Sequence, residues 1–555
     1  MKKLVYKSTL ILNLCLLTLG LVSCKEEELL PDADRIFRPV EVAATLTPGT
    51  KNSIDFSWVN VGNDAVGYTI ELSTDGFVTT PVSYTFSAED FESSVCKVSI
   101  PDLQYDSEYS ARIIACAVDP SKNSRSVDFP AVTTDALNAV LKSVSDNNVF
   151  ETSANLYWIE DELYPVSSIV ITAVESGEIL VFDVSANTDY KLVATGLTPS
   201  TAYVAAIYYG DVRYNSRKFT TKAFPTVPEG AILLDETRTD LVAELDALTE
   251  GGQYTFVLKA GVTYFIKTIG YVLPNVSVEF MGQSAYDKPH IALKNGSATT
   301  GSAMLKLPAT SANVSFKNII IEGYLYDTDE NLTTTRIAYI VNQDVACSVT
   351  NLYFDNCNLQ HFGRTTFRLQ NAAALVDNVT VNNCIVSDLG QESQYSFMQT
   401  SNGALFKNIT ITNSTFYDLY KGFLESYPSV PSSVVVENNT FYNILNSTRY
   451  LLHFNNLDIS GTISFKANLF GKTISADGTG RGPYYGTAAT EIYQDNVAAS
   501  DFVFVSGTEL SPDAYAFPNL IRSTLSSDEI FSNPASADFK LKSSFTSKIG
   551  DPRWY

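Results

Sequence analysis

Four strand-like segments carry polar and charged residues at matching places: "TTFRLQ" from Thr365, "YSFMQT" from Tyr395, "KGFLES" from Lys421 and "RYLLHF" from Arg449. Their offsets of 30, 26 and 28 residues stack Thr365, Tyr395, Lys421 and Arg449 in one column, provided the segments lie on successive turns of a coil. A second column four residues on holds Leu369, Gln399, Glu425 and His453. Four residues of strand span about 13 Å, so the columns would frame a groove roughly two or three sugar residues long. Tyr420, Tyr427 and Tyr450 lie close by and would stack on sugar faces. Arg364 and Arg368 are further candidates whose register the sequence leaves open.

These residue types suit a uronate chain. Removal of the proton α to a carboxylate needs a base and a cation that stabilises the developing enolate. Lys421 beside Arg449 would have its pKa lowered by the like charge, as a basic lysine requires. His453 or Tyr450 would then protonate the leaving oxygen. The same column could hold a ligand without turning it over, or form a solvated outer face. In "YDTDEN", Asp327, Asp329 and Asn331 offer oxygen ligands at alternate positions. That pattern fits a Ca2+ site or an acidic surface loop.

The whole-chain charge restricts the partners. A net charge of -23 excludes a nucleic-acid role, which needs clustered Lys and Arg to displace counterions. Any polyanion would need a local basic groove or a bridging Ca2+ ion. With only 3 His, a histidine-rich metal centre has little material. The chain's 555 residues exceed one core, and its 31 Tyr and 31 Phe at 18% charged residues read as globular and strand-rich.

Lys2, Lys3 and Lys7 precede the apolar run "LILNLCLLTLGLVSC", too short to span a membrane. Its end, Leu21-Val22-Ser23-Cys24, resembles a bacterial lipobox. The resemblance implies a signal peptide over 1–23 and a lipid on Cys24 that tethers the chain to a membrane. The acidic "KEEE" that opens the tether over 24–37 is similar to tags that send Bacteroidetes lipoproteins to the cell surface. Beyond Cys15 and Cys24, five cysteines remain in no short metal-type spacing.

Two similar blocks follow. Residues 38–134 contain Trp58 on an early strand and Leu103 six residues before Tyr109; residues 135–224 contain Trp158 and Leu197 six residues before Tyr203. Both resemble fibronectin type III domains, with a core tryptophan and a tyrosine corner. Such domains serve as spacers or bind ligands directly.

Then "TRTDLVAELDALTEGG" predicts a short helix with Leu241, Val242, Leu245 and Leu248 on one face, stopped at Gly251. It would cover the first rung of a coil, whose open edge would otherwise recruit strands. Beyond it the chain repeats: "NIIIEGYLYD" at Asn318, "NLYFDNCNLQ" at Asn351, "NVTVNNCIVS" at Asn378 and "NITITNSTFY" at Asn408, with gaps of 33, 27 and 30. A strand-and-turn period of that size marks a β-solenoid. Asn356, Asn383 and Asn413 fall at equivalent turns, where amides can ladder. Cys357 and Cys384 would lie one above the other, as free thiols or within disulfide range.

The end, "IFSNPASADFKLKSSFTSKIGDPRW", resembles the closing rung of bacterial β-helix proteins. Residues 226–555 are similar to the pectate lyase-like superfamily, and the chain resembles gut Bacteroidetes surface lipoproteins that join fibronectin domains to a β-helix. The resemblance implies an all-β protein: two fibronectin type III-like sandwiches, then a right-handed parallel β-helix with a short N-terminal capping helix. It departs from the best-known enzymes, because 226–555 lacks "W-x-D-H", "G-H-G" and "R-x-K" elements. Paired-carboxylate hydrolysis is thereby disfavoured. Binding of a uronic-acid polysaccharide, alongside other surface glycan-uptake proteins, leads. A lyase using Lys421, Arg449 and His453, with Tyr395, Gln399, Glu425, Tyr450, Arg364 and Arg368 on the ligand, is the alternative. A non-catalytic adhesin is the third.

Overall fold

The computed structural model describes residues 35–163, 165–391, 395–446, 448–476, 478–505 and 516–555. The leader, Cys24 and the tether through residue 34 lie outside them. The chain divides into two compact units, Met1–Lys222 and Ala223–Tyr555.

The first unit holds two β-sandwiches. In the first, Val40–Leu46, Ile54–Val59 and Val95–Ile100 form one sheet, facing another built on Val82–Ser87, Gly67–Ser73 and Glu108–Cys116. Strand alternation sends Ile54, Phe56 and Trp58 into the core and leaves Asp55 and Ser57 half-exposed. In the second, Ser153–Tyr157 pairs with Lys191–Thr195 opposite the four strands around Ser168–Ala173 and Ala202–Tyr209. Both tyrosine corners form. Tyr109 Oη accepts the Gln104 N–H at 2.9 Å, and Tyr203 Oη accepts the Thr198 N–H at 2.8 Å. With Leu103 and Leu197 buried beneath them, both sandwiches are fibronectin type III-like.

The second unit is a parallel β-helix of about ten turns, with sheets of ten, eleven and nine strands. Sheet 1 runs from Ile232–Leu234 to Ala488–Gln494, sheet 2 from Thr263–Ile266 to Ile521–Arg522, and sheet 3 from Tyr271–Val272 to Val503–Val505. Each rung contributes apolar side chains to one continuous core. Phe256, Phe280, Phe316 and Phe354 stack along it, with centroids 5.7, 5.2 and 5.0 Å apart. The expected helix spans Leu241–Asp246, buries Leu241 and Leu245, and is capped by Asp240, whose side chain accepts from the Val242 and Ala243 N–H groups.

The turn from sheet 1 to sheet 2 repeats one device. Asn356, Asn383 and Asn413 do occupy equivalent places, each left-handed with φ of 51°, 52° and 51°. Asparagine tolerates that region better than most residues, which explains its recurrence. These amides do not ladder with one another: Asn356 donates to Asn318, Asn413 donates to Asn382, and Asn383 accepts from Arg553. The ladder is one residue further on and buried. There each backbone N–H donates to the next rung's side chain, from Cys357 to Cys384 Sγ, Cys384 to Ser414 Oγ, Ser414 to Asn439 Oδ1, Asn439 to Asn468 Oδ1 and Asn468 to Asn496 Oδ1. Cys357 and Cys384 are thus stacked free thiols in that column.

Two sequence expectations shift. Asn318 is the counterpart of Asn356, and the true partner of Asn351 is Asn313. An extra hairpin strand, Leu332–Arg336, lengthens that turn and puts the pattern out of phase. The terminal "FSNPASADFKL" is an antiparallel hairpin, Phe531–Asn533 with Asp538–Leu541, and adds no rung. Its Phe531 and Phe539 instead pack on Tyr442 and Leu469.

Asn468 links its neighbours in the buried ladder: its Oδ1 accepts from Asn439 N–H and Nδ2, and its Nδ2 donates to Asn496 Oδ1 and Val436 O. Asn468→Leu takes a partner from two buried backbone groups, Asn439 N–H and Val436 O, and from two side-chain amides, and should cost about 2–4 kcal/mol, read as a fall in the melting midpoint. Asn351→Ala, on the half-exposed ladder of sheet 1, should change it by less than about 1 kcal/mol.

Candidate functional site

Sheet 3 builds the site from very short strands. In Phe367–Leu369 the outer residue is Arg368, between two buried neighbours. The ladder aligns Arg368 with Gln399, Glu425, His453 and Tyr484 on successive rungs. Gln399, Glu425 and His453 therefore share a column as expected, but Leu369 does not belong to it. Counting back four residues, Arg364 replaces Thr365 beside Tyr395, Lys421 and Arg449. The first two rungs are 31 residues apart, as from Phe367 to Met398. A one-residue slip on a strand reverses every side chain. Thr365 and Leu369 are fully buried, and Thr365 Oγ1 donates to Phe397 O at 2.6 Å.

The corrected columns place cations around two tyrosine rings. Arg364, Arg368 and Lys421 approach the Tyr395 ring at 5.9, 4.7 and 5.8 Å from its centroid. Arg364 and Arg368 also donate to Tyr339 Oη at 3.2 and 3.5 Å, and the Tyr339 ring packs edge-on to Tyr395. Next to this cluster, Glu425 lies 3.6 Å from Lys421 Nζ and 3.8 Å from His453 Nδ1, and accepts from Ser396 Oγ at 3.0 Å. His453 stacks on Tyr450 at 4.7 Å, with Tyr484 and Tyr427 within 6.0 and 5.7 Å. Arg481 donates to Tyr450 Oη and lies over its ring at 5.1 Å. Gly422 permits this close stacking, because a Cβ there would meet Ser396 Oγ at 2.5 Å.

Burial is the largest influence on both members of the central pair. It pulls the Lys421 pKa below that of an ordinary lysine; Arg449 acts the same way and Glu425 opposes. For Glu425 burial acts upward, but His453, Lys421 and Ser396 together hold the carboxyl below its usual range. Arg368 Nε and Gln399 Oε1 are buried and have no hydrogen-bond partner among the described residues. Unspent polar groups in such a setting are costly, so they mark where a ligand's oxygens and hydroxyls would be welcome.

The Ca2+ candidate lies in the turn of the hairpin that ends in Leu332–Arg336. Asp327 Oδ1 accepts the N–H groups of Asp329 and Asn331, both at 2.9 Å, which closes the hairpin turn. Among the described residues no group of three His, Cys, Asp or Glu is placed to hold a metal.

Two family models match. Residues 268–419 match the one described as Domain of unknown function (DUF4957), and residues 434–554 the one described as Domain of unknown function (DUF5123). The first spans the rungs of Arg364, Arg368, Tyr395 and Gln399, the second those of Arg449, His453, Arg481 and Tyr484; Lys421 and Glu425 lie between. Comparison with curated proteins finds no match. Among solved structures, a two-domain fibronectin type III segment from chicken tenascin is 14% identical, covers 33% of this chain and 99% of that chain, and scores a TM of 0.18. The FN1–FN3 domains of chicken CNTN1 are 15% identical over 34% and 66%, with a TM-score of 0.15. Neither score carries weight; strand order and the tyrosine corners do.

Sequence reasoning missed Tyr339, Arg481 and Tyr484. The last two lie in "TGRGPYYG", whose glycines and proline read as a loop, although it forms the strand Thr479–Tyr484. Tyr339 lies one rung before the four aligned segments and one residue off the Tyr395 column, so the aligned spacing did not point to it.

The electrostatics predict an order of titration for the Lys421 amine, measured by its acylation rate against pH. Glu425→Gln removes the opposing charge and should lower the midpoint; Arg449→Ala removes the like charge and should raise it. Lys421 of the native chain should titrate between them, below an ordinary lysine.

Proposed function

We propose that the chain is a cell-surface lipoprotein, anchored through Cys24, whose β-helix binds a uronic-acid polysaccharide through sheet 3. The observation that carries this reading is the local reversal of charge. In a chain of net charge -23, Arg364, Arg368, Lys421, Arg449 and Arg481 gather on neighbouring rungs among Tyr395, Tyr450 and Tyr484, with the carboxylate of Glu425 beside Lys421. Cations spaced along a rigid column suit carboxylates spaced along a polymer, and aromatic faces suit sugar rings. Glycan capture for uptake, beside other surface proteins, is the setting in which such a face would serve. No helix among the described residues is long and apolar enough to cross a membrane, so Cys24 is the proposed attachment.

The depressed Lys421 pKa favours a second reading, polysaccharide lyase. Lys421, when neutral, would take the proton α to the uronate carboxylate while Arg449 balances the enolate. Collapse expels the glycosidic oxygen, which takes a proton from His453 or Tyr450, leaving one unsaturated and one reducing end.

Affinity electrophoresis in homogalacturonan separates these readings. Retardation of the native protein should weaken with added salt, and Arg368→Ala or Lys421→Ala should each cost about 1.5–3 kcal/mol of binding. Unretarded migration on every uronate tested would remove the binding reading in favour of an adhesin. Ultraviolet-absorbing unsaturated products would establish the lyase. Cys24→Ser should move the protein from the membrane fraction to the soluble one.

A further inference from the structure

Sheet 1 carries a second surface of opposite character. A groove of about 600 Å³ crosses its first rungs, walled by residues 229–231. Its floor is the outward column Thr255, Glu279, Ser315, Tyr353 and Thr380, each level with the next. Alongside runs an amide ladder. Asn351 Nδ2 donates to Asn313 Oδ1 at 2.8 Å, Asn378 to Asn351 at 3.1 Å and Asn408 to Asn378 at 3.1 Å. Asn378 and Asn408 spend their second N–H on Thr350 O and Asp377 O, at 3.3 and 3.1 Å, so the ladder offers outward the second N–H of Asn351 and carbonyl lone pairs.

The geometry points to a second glycan-binding site here, for a neutral, extended polysaccharide. Three features fix the class. No Lys or Arg lines the groove, while Glu229 and Glu279 do, so a polyuronate would be repelled and an uncharged chain would not. Asn351 and the ladder carbonyls offer donor and acceptor together, as sugar hydroxyls require, and Tyr353 on the outward column supplies a ring face. The rungs repeat about every 4.8 Å, close to the length of one pyranose in an extended chain, so successive sugars would keep step with successive rungs. A peptide strand would need an open sheet edge, and here the strands present a face whose backbone is already paired. This site is independent of the sheet 3 reading.

The test is calorimetric titration of the mature chain with xylohexaose, mannohexaose and galactohexaose, with trigalacturonate as the acidic comparator. At least one neutral hexasaccharide should bind. Ser315→Trp, which fills the groove, and Tyr353→Ala, which removes a ring, should each weaken it about tenfold or more while Lys421→Ala leaves it unchanged. Circular dichroism establishes that each variant is folded, and agreement of the two substitutions guards against misfolding of either. No binding of any neutral hexasaccharide at millimolar concentration would overturn the proposal. So would neutral-sugar binding that survives both groove substitutions or is lost with Lys421→Ala.

Discussion

Every feature of the solenoid depends on one requirement: each rung must hand its backbone hydrogen bonds to the next, in the straight strands and also around the corner. Parallel strands do this by default, but a turn exposes N–H groups that no strand partner meets. The buried column from Cys357 through Asn496 meets that need with a side-chain acceptor on each following rung. Sulfur, hydroxyl and amide serve in the same place, so the common property is an acceptor of short reach. The stack can then be no looser at its corners than in its sheets.

A stack so bound must still end. The helix Leu241–Asp246 closes one end of the core. The C-terminal residues return over rungs already built: Asp551, almost fully buried, accepts from Thr415 Oγ1 at 2.7 Å and pairs with Arg553, and Trp554 Nε1 donates to Thr415. This strap lies on sheet 2, so sheets 1 and 3 keep their outer faces. Repeat proteins need such caps because a terminal rung has only one neighbour.

Most of the fold was legible in the sequence because it rests on periodicity. The tryptophans, tyrosine corners, helix and repeats each leave a local pattern. Register was legible where the rung length held steady, as from Tyr395 to Lys421 to Arg449. It failed at Thr365 and Leu369, because the next rung lies 31 residues on and not 30, which puts Arg364 and Arg368 on the outward columns. It failed at Asn318 for the same kind of reason, a hairpin inserted between rungs. Arg481 and Tyr484 were hidden by glycines and a proline on a strand whose pairing comes from its neighbours and not from its own propensity. Side-chain position in a solenoid is a sum over all earlier turns, so a single insertion displaces everything read after it.

Glu425 is the informative residue of the sheet 3 face, because a carboxylate looks misplaced among cations meant for an anionic polymer. Its side chain is 8% exposed and that of Lys421 10%, so this is not a surface ion pair of negligible worth. Burial and Arg449 both favour the neutral amine at Lys421, and Glu425 is what opposes them. Without it, the lysine pKa would fall further. With it, an incoming carboxylate must compete for Lys421, while Arg368 retains an Nε with no partner among the described residues. A ligand carboxylate therefore gains most at Arg368, and Lys421 is held as a proton-bearing group whose charge depends on what Glu425 is doing.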